Sequence, residues 1–75
     1  MDAVTIKDKI EYIVAFISEF SKHHNQQEAE SYRYLKKYGV ISLIDRCYDV
    51  MHTQSFSDMV SDMTAYCHRN GGVLS

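Results

Sequence analysis

YGVISLIDRCYDVM, residues 38–51, decides the fold. Its apolar run VISLI reads either as a short buried strand or as the start of a helix. A strand of that length wants turn chemistry at both ends, and only Gly39 supplies any. The apolar and aromatic positions also run on, through Cys47, Tyr48, Val50 and Met51. The stretch therefore predicts a helix over about 40–51, apolar on nearly every side, as the buried centre of a small helical domain.

The flanking segments agree. On the C-terminal side, Phe56, Val60, Met63 and Cys67 repeat at helical spacing, with Met59 and Tyr66 beside them. Ser55 with Asp58 three residues on is a capping pattern, and Asn70-Gly71-Gly72 is a stop. A helix follows over about 57–69, with Val73 or Leu74 folding back onto it. On the N-terminal side, Gly39 ends a helix over about 26–38, with Lys36 and Lys37 set against the negative end of its dipole. Asn25 is read as its cap, Glu28 as its third residue, and Ala29, Tyr32, Leu35 and Tyr38 as its inner face. The first segment, about 4–24, carries Ile6, Ile10, Ile13, Ile17 and Phe20 on one face, widened by Phe16. Lys7, Glu11, Ser18 and Lys22 lie opposite, and Thr5 with Asp8 resembles a cap. The prediction is an all-α domain over residues 1–75, a compact four-helix bundle with two longer and two shorter helices. Segments one, three and four are expected to form its core.

Composition narrows the function. Residues 1–39 carry six basic and six acidic side chains, and residues 40–75 carry two basic and four acidic, for a net charge of −2. Nucleic-acid binding normally wants a positive excess. The helix–glycine–helix around Gly39 keeps a DNA-binding regulator as an alternative, but its second helix is apolar where a recognition helix must be polar and exposed. The N-terminus MDAVTIKDK has no apolar leader core, and no apolar run approaches a membrane span. Two distant cysteines without a secretory leader read as reduced thiols in the cytoplasm.

CYDVMHTQS, residues 47–55, gathers a thiol, a carboxylate, an imidazole and a hydroxyl. On a continuous helix Cys47 and His52 would point about 140° apart. Asp49 and His52 could meet, which keeps a small metal-binding or catalytic protein as a further alternative. Paired metal-ligand spacing is absent, and Cys47 and Cys67 both fall on apolar stripes, where cysteine acts as a small hydrophobe. No catalytic residue, cofactor site or metal site is assigned. What remains is a non-enzymatic interaction module. Its candidate partner-binding or turn-shaping residues are Tyr48, Asp49, His52, Thr53 and Gln54, with the acidic face Asp58 and Asp62 beside them. Tyr34, off the inner face of its segment, and Tyr12, at the edge of its own, are further interface candidates. The expected partner is another protein or a second copy of the chain. Met51, Met59 and Met63 are read as core filling.

The chain also resembles a family of small bacterial all-helical domains of unknown function. The resemblance rests on IEYIVAFISEF, KYGVISLIDRCYDVMHTQS and FSDMVSDMTAY. Its most distinctive part is Tyr38-Gly39-Val40 followed by Tyr48 to Gln54. Members are often encoded near genes for ADP-ribosyltransferase-like proteins. The resemblance therefore implies an accessory or antitoxin-like partner of a neighbouring gene product, and no catalytic residues.

Overall fold

A computed structural model describes residues 6–72. It contains five helices: α1 (Ile6–His24), α2 (Glu28–Lys37), α3 (Val40–Arg46), α4 (Tyr48–Met51) and α5 (Phe56–Arg69). There is no strand among the described residues, so VISLI is helical. The Thr5 cap and the Val73–Leu74 fold-back lie outside the described residues.

Glycine and asparagine set the turns. Asn25 has φ of 53°, a left-handed conformation that asparagine tolerates better than most side chains. It terminates α1, with the Gln26 amide donating to the Ser21 carbonyl at 2.9 Å. Asn25 was expected to cap α2; Gln27 holds that place, and Glu30 takes its amide proton at 3.1 Å. Glu30, not Glu28, is thus the third residue of α2. Gly39, at φ of 79°, ends α2 and begins α3. Gly71, at φ of 91°, ends α5. There Gly72 donates to the Cys67 carbonyl at 2.8 Å and Gly71 to that of His68 at 3.1 Å, the paired bonds that close a helix on a left-handed residue. Ser55 accepts from the Asp58 amide at 3.1 Å, as its spacing anticipates.

The core runs along α1 and α5 and is closed by α2 and α3. Phe16, Phe20, Leu35, Val40, Ile44 and Cys67 are fully buried, and Met51, Met59 and Met63 fill between them. α2 contributes through Ser31, Leu35, Tyr34 and Tyr38, so the expected inner face is rotated and Ala29 and Tyr32 are exposed. The small Ser31 sits fully buried, its hydroxyl donating to Gln26 Oε1 at 3.0 Å. Tyr34 is a core-edge ring rather than an interface aromatic: it stacks on Phe20 at 6.2 Å and meets Tyr38 at 5.0 Å.

Two expectations about the core are corrected. The helix over 40–51 breaks at Cys47, where φ is −111° and ψ is 21°. The bend returns α4 toward α1, where Tyr12 donates its hydroxyl to the Met51 carbonyl at 3.0 Å and meets Tyr48 edge-on at 5.5 Å. Met51 stays buried, but Cys47 is exposed and Val50 is 66% exposed. The second correction concerns α1. Its 19 residues span about 28 Å. Neither the 7 residues of α3, about 10 Å, nor the 14 of α5, about 21 Å, matches that length by itself, and beside the first turns of α1 lies only the short α3. Ile6 and Ile10, expected in the core, are 77% and 55% exposed.

Candidate interaction surface

The turn after α4 is closed by its own side chains. His52 Nδ1 lies 2.6 Å from the Tyr48 carbonyl. A carbonyl only accepts, so that nitrogen carries the proton. The imidazole also stacks on the Tyr48 ring at 4.6 Å, nearly parallel. His52 thus turns to Tyr48 rather than to Asp49, and the Asp–His pair weighed for catalysis is not assembled. Thr53 donates to the Val50 carbonyl at 2.7 Å, and the Gln54 amide donates to Met51 at 3.1 Å. Tyr48, His52 and Thr53 therefore hold the turn, while Asp49, Gln54, Asp58 and Asp62 present exposed side chains. Tyr12 is half-buried beneath Tyr48 and Phe56, which together with the neighbouring Tyr48 raises its phenol pKa. Burial likewise raises the Cys67 thiol, against a smaller opposing pull from the Tyr34 hydroxyl, and keeps it protonated.

A second feature is a cleft of 610 Å³ between the C-terminal halves of α1 and α5, walled by Val60, Ser61, Thr64 and Ala65 and edged by His23, His24, His68 and Arg69. Thr64 gives its single proton to the Val60 carbonyl at 2.7 Å. It can then only accept from His24 Nε2, 2.9 Å away, which fixes the neutral tautomer. Burial first, then the adjacent His23, holds the His24 pKa below its ordinary 6.5. The folded state thus prefers neutral His24. This contribution to stability is complete above pH 6.5 and is lost as pH falls from 6.5 through the lowered folded value. Unfolding midpoints should drop across that window, and His24→Gln should flatten the drop. An unchanged pH slope in that variant would contradict the assignment.

The third feature is the uncovered end of α1. Ile6, Ile10 and Ile13 meet Ile41 of α3 along a cleft of 340 Å³, bounded by Lys9, Ser42 and Asp45. Val14, 57% exposed, extends the same apolar strip. Lys9 and Asp45 pair across one edge at 3.2 Å, and Lys7 and Glu11 approach to 4.0 Å on the other. Periodicity places these isoleucines in the core because it reports a helix face, not what covers it. The signal that could have exposed them is length: the stripe of the first segment outruns every segment that follows.

Among the described residues no group of three or more His, Cys, Asp or Glu side chains is placed to hold a metal ion. No described helix is long and apolar enough to cross a membrane. No curated protein and no solved structure matches the chain. One family does match, over residues 11–70, which take in the described helices except residues 6–10 of α1, Ile6 and Ile10 among them. The chain belongs to that family, DUF3791, described as a protein of unknown function.

Proposed function

We propose that the chain is a non-enzymatic protein–protein interaction module: one helical-bundle domain over residues 1–75, bacterial and cytoplasmic, that acts by docking. One observation carries this reading. Ile6, Ile10 and Val14 are 77%, 55% and 57% exposed on a single i, i+4, i+8 strip that starts on the core face of α1 and runs off beside it. Small soluble monomers rarely leave contiguous aliphatic side chains in water, and a polar-rimmed strip of this kind marks a protein contact. The exposed Asp49, Gln54, Asp58 and Asp62 near the α4 turn offer a separate polar surface. An accessory or antitoxin-like role toward a neighbouring gene product suits a domain with two such faces.

The test is association of the purified chain with itself and with its neighbouring gene product, up to about 100 μM. Wild type should form at least one complex, and Ile10→Glu should abolish it while circular dichroism stays helical. Binding to neither, or binding indifferent to Ile10→Glu, would overturn the reading.

A further inference from the structure

The strip along α1 is complementary to itself. We infer that its occupant is a second copy of this chain, with the N-terminal halves of the two α1 helices packed antiparallel about a two-fold axis at Ile10. This rests on the interaction-module reading and names the partner for its apolar face.

The argument is one of shape and charge. A two-fold at Ile10 sets Ile10 against the partner's Ile10 and Ile6 against the partner's Val14. The exposed aliphatic side chains thus cover one another over two helical turns. One flank of the strip carries Lys7 and Glu11, one turn apart. In a parallel pair the Lys7 and Glu11 flank would instead face the partner's opposite flank, which carries Lys9 and sets lysine near lysine. In the antiparallel pair Lys7 lies within about 3 Å of axial register with the partner's Glu11, and the reverse contact forms by symmetry. The helix dipoles are then also opposed. The far flank holds Lys9 and Asp45, already paired at 3.2 Å, so the rim has two charges of each sign. A strongly charged partner of either sign would meet like charge somewhere on this rim, whereas a copy of the chain matches it. The seam is short and sits at the small end of specific interfaces, so association should occur in the range of about 10–100 μM.

Sedimentation velocity over that range tests the arrangement. Wild type should pass from monomer to dimer. Lys7→Glu places glutamates against the partner's Glu11 at two symmetric sites and should weaken the dimer about tenfold. Lys7→Glu combined with Glu11→Lys should restore it to within about threefold. Lys7 and Glu11 are both exposed, at 81% and 64%, so helicity should not change. A wild type that stays monomeric at about 100 μM overturns self-pairing; the module reading then survives only if Ile10→Glu still breaks a complex with another protein. A dimer that resists Ile10→Glu, or that Lys7→Glu leaves unchanged, also overturns the antiparallel α1 pair.

Discussion

Phe20→Ala is expected to cost about 3–5 kcal/mol, a large part of the stability of the chain. Phe20 is fully buried on the core face of α1. Its ring meets Phe16 at 5.9 Å, His24 at 4.5 Å and Tyr34 at 6.2 Å, so it joins two turns of α1 to α2. Truncation removes the transfer free energy of the ring and leaves a cavity that five short helices cannot all close at once. A chain of 75 residues has about 4–11 kcal/mol of stability in total. The loss is therefore a large part of the whole. Urea unfolding should move its midpoint down by about 3 M, since small proteins unfold with slopes near 1 kcal/mol per molar. A shift under about 1 M would mean that Phe20 is not the centre of the core.

Ile10→Ser should behave in the opposite way, although Ile10 and Phe20 belong to one helix and nearly one face. Isoleucine and serine have similar helix propensities, so the backbone is indifferent to the exchange. More than half of the Ile10 side chain already faces water in the isolated chain, at 55% exposure. The stability lost is then less than about 1 kcal/mol, under half of what full burial of such a side chain brings. Association should suffer most, because each dimer contains Ile10 twice at its axis. Ile17, two turns along the same face and 8% exposed, is the control. Ile17→Ser should cost about 3 kcal/mol or more whatever the protein concentration.

The contrast between these positions shows what the sequence reveals and what it conceals. Helical periodicity, Gly39 as a punctuation mark and the Ser55–Asp58 cap together suffice for an all-helical chain. The break at Cys47 is not legible in that way. It exists because Tyr12, far away in sequence, holds the Met51 carbonyl and the Tyr48 ring, and a contact across 39 positions leaves no local mark. Asn25 misleads for a related reason: asparagine is equally at home as a cap and in a left-handed turn, and only the Gln26 bond back to Ser21 decides between them. In the candidate site, CYDVMHTQS attracts attention through its chemistry, yet His52 and Thr53 spend theirs on the adjacent backbone. The isoleucine strip escapes notice because its residues are ordinary. An isoleucine on the core face of a helix looks the same in sequence whether or not another helix reaches it.

The most direct test is therefore the urea midpoint of wild type and Ile10→Ser at about 1 μM and about 100 μM. If the strip serves association, the two proteins unfold within about 1 kcal/mol of each other when dilute. At the higher concentration only wild type gains, by about 1 kcal/mol, as mass action stabilises the folded dimer. If Ile10→Ser instead loses about 2 kcal/mol or more at both concentrations, Ile10 belongs to the core of the monomer, and the surface proposed for docking is not one.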